Sequence, residues 1–293
     1  MRVLIDAVTT QLAQAVALDA TIREDAVREA RLLIAAVLGW TTGELARRVG
    51  ETPSADVAER VRDAASRRAR GEPLAYAVGT AAFRHLTLAV DARVLIPRPE
   101  TEELVDHVLR LTAEATGGIA VDIGTGSGAI ALALATEGQF DQVIATDISD
   151  DALQVATANR DRIAPRTPVE FRRGSDLAPL RGVRARVIAS NPPYIAYDEA
   201  ERLPSAVRDW EPATALFAAD GGMARYEVLL AAGQHYLEDG GWIALEVDAS
   251  RAVDTATRAT HHGWSRVQIV KDLSGRDRIL LAQASLHAHT GSA

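Results

Sequence analysis

The chain has 293 residues, 47% of them hydrophobic and 25% charged, an ordinary globular balance and, at about 150 residues per domain, the length of two domains. A formal net charge of −8 argues against a broad basic footprint for nucleic acid, and the absence of cysteine excludes disulfides, thiolate catalysis and cysteine zinc sites. No run of about 18 uncharged apolar residues occurs, so no membrane span is expected; the opening "MRVLIDAVTTQLAQAVALDA", with Asp6, reads as an amphipathic helix, and a cytoplasmic protein is the default.

Residues 1–75 read as a helical domain. In "REDAVREARLLIAAVLGW", Ala26, Ala30, Leu33, Ile34, Val37 and Leu38 share one face at helical spacing, and Gly39 stands where a left-handed C-terminal cap belongs. "PSADVAERVRDAASRRARG" repeats the pattern with Val57, Val61 and Ala65 and closes on Gly71. Eleven basic and eleven acidic residues leave 1–75 neutral, but Arg60, Arg62, Arg67, Arg68 and Arg70 crowd the last helix. They suit either a solvated helix face or a docking patch for an acidic or RNA-associated partner. Across 76–97, "FRHLTLAVDARVLIP" alternates and is rich in β-formers, which predicts a hairpin or extended linker with its turn near Asp91.

Strand-like and helix-like runs then alternate through 98–285. Strands are expected at 119–123, 142–146, 169–173, 186–190 and 242–247, with helices such as 128–137, 150–160 and 222–237 between them. This order predicts an α/β fold with a mostly parallel sheet covered on both faces. Two final strands, around 264–270 and 277–284, are joined by the turn-like "KDLSGRD", which suits a seven-stranded sheet with an antiparallel edge strand. The last residues, 286–293, are expected to be a flexible tail.

"VDIGTGSGAIALALA" passes from a strand into a helix through Gly124, Gly126 and Gly128, which allow a tight turn and close backbone approach to a ligand. Gly124-x-Gly126-x-x-Ala129 also fits the dinucleotide pattern. Asp122, two residues before the first glycine, favours a ligand bearing an ammonium group over a pyrophosphate. Asp147 ends the next strand, where a carboxylate can accept from a ribose diol, unless it serves as a helix cap. S-adenosylmethionine uses both acids. Ser175 and Asp176 follow the third strand within reach of an adenine edge, with a purely structural role as the alternative for Asp176. The seven histidines show no metal-ligand spacing, and no metal is expected.

"SNPPYI" ends the fourth strand at the carboxyl edge of the sheet. Asn191 offers a side-chain oxygen, and Pro192 a backbone carbonyl held by Pro193. Two fixed acceptors match a planar –NH₂ group: they orient its nitrogen and push electron density onto it for in-line attack on a methyl group. Tyr194 would pack over that group or wall its slot. This chemistry fits an amide or the exocyclic amine of a nucleic-acid base.

"IPRPETEELV", the glycine segment, "SNPPYI", "EPATALFAADGG" and "KDLSGRDRILLA" occur in the order seen in the PrmC/HemK family, which the chain resembles over roughly residues 22–284. The resemblance implies a class I S-adenosylmethionine-dependent methyltransferase of Rossmann-like fold, preceded by a small all-α domain and a β-hairpin linker. It implies methylation of the glutamine amide in the Gly-Gly-Gln motif of class-1 peptide-chain release factors. By the same resemblance Gly124, Thr125, Gly126, Ser127, Gly128 and Asp147 hold the cofactor, with Asn191 also beside it. Asn191, Pro192, Pro193 and Tyr194 hold the glutamine, Phe83 packs near it, and Arg98 and Glu100 border the pocket, although Glu100 equally suits a helix N-terminus. The helical domain would dock the rest of the release factor. Leu177 departs from the aromatic residue common after the third-strand acid, which puts adenine stacking there in doubt.

The alternatives are a base methyltransferase acting on a flipped nucleotide, a nicotinamide-dependent oxidoreductase and a non-catalytic cofactor-binding scaffold. Net charge and the lack of a recognition domain weigh against the first, so no direct nucleic-acid binding is expected. The second leaves Asn191–Tyr194 without a role.

Overall fold

The structure, a computed structural model, describes residues 1–114 and 116–285; the expected tail at 286–293 lies outside the described residues. The described residues divide into two compact units, one of Met1–Ala81 with Val90–Ala92 and Leu203–Trp210, the other of Ala82–Ala89, Arg93–Arg202 and the described residues from Glu211 onward.

The first unit is built from helices α1 (Arg2–Ala13), α2 (Ala20–Glu24), α3 (Ala26–Leu38), α4 (Thr42–Arg47), α5 (Ala55–Ala69) and α6 (Leu74–Val78). Its core takes the apolar faces of α1, α3 and α5, with Leu12, Leu33, Ile34 and Val61 fully buried. Gly39 ends α3 at φ +68, as its position predicts, and Thr41 and Glu44 form a reciprocal capping box on α4. The α5 arginines divide. Arg68 is buried against Glu29 at 2.6 Å and donates to the Glu72 carbonyl, Arg67 pairs with Glu72, and Arg60 donates to the Val37 carbonyl. Three of the five residues of the expected solvated or docking patch therefore tie the helices together, although Arg60, like Arg62 and Arg70, remains exposed.

Helix continues to Val78, past the expected start of the linker, and a two-stranded sheet follows, β1 (Thr80–Phe83) with β2 (Leu86–Ala89). Its turn is at Arg84–His85 and not near Asp91. Arg84 takes φ +53, its amide donates to Glu102, and its guanidinium meets Asp106 and Glu137, so distant acids place the turn.

The second unit continues with α7 (Pro99–Thr112), β3 (Ile119–Ile123), α8 (Ala129–Glu137), β4 (Gln142–Asp147), α9 (Asp150–Ile163), β5 (Val169–Arg173) and β6 (Ala185–Ser190). Short helices α10 (Ser205–Arg208, within the first unit) and α11 (Ala213–Leu216) precede α12 (Ala224–Ala232), β7 (Leu237–Glu246), α13 (Ala252–His261), β8 (Ser265–Lys271) and β9 (Asp277–Gln283). The sheet runs β5-β4-β3-β6-β7-β9-β8, with β3 to β7 parallel and β9 antiparallel to both β7 and β8. The antiparallel strand thus lies inside the edge formed by β8. Val121, Ile144, Ile188 and Ile243 are buried along neighbouring strands, as continuous apolar runs in a doubly covered sheet require. Strand order reverses between β3 and β6, and the crevice beyond their carboxyl ends is where such sheets bind ligands.

Candidate active site

The loop after β3 is shaped by glycine. Gly124 and Gly126 have φ +74 and +54, and a Cβ on either would meet nothing within 4 Å, so both faces are open to a ligand. Gly128 differs: its Cβ would come within 3.0 Å of Leu132 and 3.4 Å of Ala156, so it serves close packing of α8 and α9. Gly124 and Thr125 donate their amides to the Thr146 carbonyl, and Gly126 donates to Asp147 Oδ2 at 2.9 Å.

Asp122 lies beneath this loop, fully buried. Its Oδ2 accepts from Thr125 Oγ1 at 2.6 Å and from the Ala131 amide in the first turn of α8 at 3.1 Å, while Oδ1 is buried without a partner. Burial pushes its carboxyl up to about 7. The sequence-derived role of Asp122 opposite a ligand ammonium is therefore corrected: with no exposed surface, the side chain braces the loop from below.

The corner after β6 is stiff. Ser190 donates to the Ile123 carbonyl at 2.7 Å, joining the ends of β6 and β3, and Asn191, Pro192 and Pro193 then line the cleft. Asn191 Nδ2 donates to Thr101 Oγ1 at 3.1 Å, and Thr101 Oγ1 donates to Glu246 Oε2 at 2.6 Å. Thr101 is in the first turns of α7 and Glu246 ends β7; both are buried. Burial raises Glu246 to about 7 despite the Thr101 hydrogen bond and the nearby Arg278 and Arg98. Tyr194 packs against the sheet core beside Glu246 and Arg278 and is not among the residues lining the cleft, and burial raises its phenol well above the usual range.

Two adjoining cavities share Leu95, Gly124, Gly126 and Asn191 as walls. The larger encloses about 810 Å³ up to its open mouth and is lined also by Asp147, Ile148, Ser175, Asp176 and Arg225. The smaller brings Arg98, Thr101, Thr125 and Ser127 to the other side of Asn191. Asp147 Oδ1 accepts from the Ser149 amide, and Ser149 itself caps α9, so the helix-cap alternative falls to Ser149. Asp176 sits at φ +51, hydrogen-bonded to Ser175 and paired with Arg225 at 2.8 Å. Arg98 pairs with the buried Glu211 at 2.6 Å. Phe83 is wholly buried and Glu100 stands half-buried in the first turn of α7; neither is among the residues lining the two cavities. Leu177 is in the core, whereas Ile148 is 52% exposed at the cleft and supplies the apolar wall that Leu177 does not.

Ile148, Arg225, Thr101 and Glu246 were not singled out from sequence. Only Glu246 leaves a trace, an acid inside the apolar run "WIALEV" at a strand end on the ligand edge. Asn159 was missed as well. Fully buried, it donates to the carbonyls of Ala89 and Ser127 and accepts the Ala89 amide, clasping β2 to the glycine loop.

The site fits S-adenosylmethionine: two unobstructed glycine faces and a carboxylate at the end of the second parallel strand, opening on one cleft. Gly124 and Gly126 would lie against the cofactor, Asp147 would accept from its ribose, and Ile148 would cover its base. Among the described residues no cluster of histidine or acidic side chains is arranged to hold a metal.

Fold and cleft together define a class I S-adenosylmethionine-dependent methyltransferase. A methyltransferase from Pyrococcus furiosus shares the fold, with a TM-score of 0.53 at 18% identity over 79% of this chain and 100% of that one. The PrmC N-terminal domain matches residues 9–79 and the methyltransferase small domain residues 101–208. A release factor glutamine methyltransferase of Moorella thermoacetica is 38% identical over 262 residues, 87% of this chain and 92% of the relative. One of Agrobacterium fabrum is 35% identical over 87% of this chain and 90% of its own length. The chain belongs to the release factor glutamine methyltransferase family.

Proposed function

We propose that the protein transfers a methyl group from S-adenosylmethionine to the side-chain amide nitrogen of the Gly-Gly-Gln glutamine of class-1 peptide-chain release factors. The observation that carries this reading is the orientation of Asn191. Its amide nitrogen donates to Thr101, which leaves Oδ1 as the end available to accept from a target amide at the cleft that Asn191 lines. When bound, the cofactor would supply a sulfonium methyl group, electrophilic enough that alignment matters more than a strong base: the S–C bond would break to leave a neutral thioether, and the methylated nitrogen, acidic at that point, would give its extra proton to water.

Asn191 Oδ1 and the Pro192 carbonyl accept the two N–H bonds of the target amide. That fixes the plane of the nitrogen and offsets its delocalisation into the substrate carbonyl. The adjoining prolines restrict the corner, so little reorganisation remains to be done in the transition state. A substrate loop of glycines would bring the glutamine to this corner with the least side-chain bulk beside it.

The test is transfer of labelled methyl from S-adenosylmethionine to a release factor, to its Gly-Gly-Ala variant and to DNA. Label on the wild-type factor alone is expected. Label on DNA, or equal label on the Gly-Gly-Ala variant, would overturn the assignment.

A further inference from the structure

Accepting a target –NH₂ requires the oxygen of Asn191 to face the cleft, yet an asparagine carboxamide is nearly symmetric in shape, and either end fills the same space. Something must choose. The choice is made two side chains away. Thr101 Oγ1 has one proton, and with Oγ1 2.6 Å from Glu246 Oε2 that proton points at the glutamate whenever Glu246 is a carboxylate. Toward Asn191, 3.1 Å away, the same oxygen can therefore only accept. Only the Nδ2 end satisfies it, and Oδ1 is left for the substrate.

We propose that Thr101 and Glu246 are positioning residues for methyl transfer, forming a directional relay, Asn191 to Thr101 to Glu246, that fixes which end of the Asn191 carboxamide meets the target amide. The relay rests on the reading of Asn191 as the substrate acceptor. It draws one residue from each of three elements: α7, the β6 corner and the end of β7. All three residues are shielded from bulk water in whole or part, so solvent does not compete freely for their hydrogen bonds.

The direction of the relay depends on Glu246 being a carboxylate. Once protonated, Glu246 can donate to Thr101, whose own proton is then free to point at Asn191 and to favour the flipped amide. The groups facing Glu246 are Arg98 and Glu100 at the start of α7, Arg278 on β9, Tyr194 after β6 and Tyr226 on α12. The two arginines favour the carboxylate and Glu100 opposes it, while burial lifts the carboxyl to about 7. Methyl transfer should therefore decline as pH falls below about 7, independently of cofactor binding.

The experiment compares Thr101→Val, Thr101→Ser and Glu246→Gln in the full chain. Thr101→Val keeps the shape and removes the hydroxyl; it should lower kcat by about 30-fold or more, the scale of a misplaced transition-state acceptor, with cofactor Kd changed less than about threefold. Thr101→Ser should restore kcat to within about threefold of the parent. Glu246→Gln should lower kcat by less than Thr101→Val and abolish the acidic limb of the kcat–pH profile. Side-chain amide NMR gives a reading that needs no substrate: the Asn191 NH₂ protons should be protected from exchange in the parent and in Thr101→Ser and unprotected in Thr101→Val. Parent-like kcat in Thr101→Val, a serine variant as poor as the valine, or an acidic limb retained in Glu246→Gln would overturn the relay. Inactivity of the parent toward release factors would instead overturn the substrate assignment, and the NMR comparison would still decide the relay.

Discussion

The two corners that meet at the cleft use opposite backbones and the same buried support. After β3 the chain turns through glycines whose open faces leave room for a ligand; after β6 it turns through prolines that hold two acceptors still. Behind each stands a buried carboxyl raised to about 7 and bonded at 2.6 Å to a threonine hydroxyl, Asp122 with Thr125 and Glu246 with Thr101. At the glycine corner the acid also holds a helix amide, and the support stops at the scaffold. At the proline corner the threonine passes the interaction on to Asn191. One device braces a cradle; its counterpart orients a reacting partner.

That division can be broken at either end. Asn191→Ala should lower methyl transfer by about 1,000-fold while cofactor Kd moves much less, measured by single-turnover labelling and calorimetry. Gly126→Val should do the reverse, weakening cofactor binding by about 30-fold or more, because a β-branched residue is strained at φ +54 and fills the open face. Loss of both properties in both variants would mean that the corners do not divide the work.

The paired acids make a finer test. Each carboxyl is higher in the folded chain than its ordinary value of 3.8 or 4.5, so the folded state binds extra protons and loses stability as pH rises toward about 7. Relative to the parent, Asp122→Asn and Glu246→Gln should each gain up to about 3 kcal/mol between pH 5 and pH 8, read from urea unfolding at the two pH values. A flat difference would show that the acids are not raised. Smallest of all, Arg225→Ala should weaken cofactor binding by about threefold, since its partly exposed pair with Asp176 only steadies the cleft wall.

Local signals in the sequence located most of the scaffold. The strands at 119–123 and 169–173 have the expected bounds, because apolar runs flanked by turns are read without knowledge of their neighbours. Gly39 and the glycine loop were legible for the same reason: a positive φ is a demand on one residue. What was lost is long-range. The hairpin turn was misplaced because Arg84 answers to Glu102, Asp106 and Glu137, none of them near it in sequence. Thr101 and Glu246 stand 145 residues apart, and nothing in either neighbourhood announces the other. Spacing places Asp122 at a strand end but does not say which side of the loop its carboxyl takes, and in the fold it lies beneath the loop, fully buried.

An enzyme that methylates primary amides carries one of its own at the reaction centre. The Nδ2 of Asn191 is hydrogen-bonded to Thr101. If that bond also keeps the nitrogen from the incoming methyl group, losing it should expose the catalyst to its own reaction. After prolonged incubation with S-adenosylmethionine alone, the intact mass of the parent should be unchanged, whereas Thr101→Val should slowly acquire a methyl group that maps to Asn191.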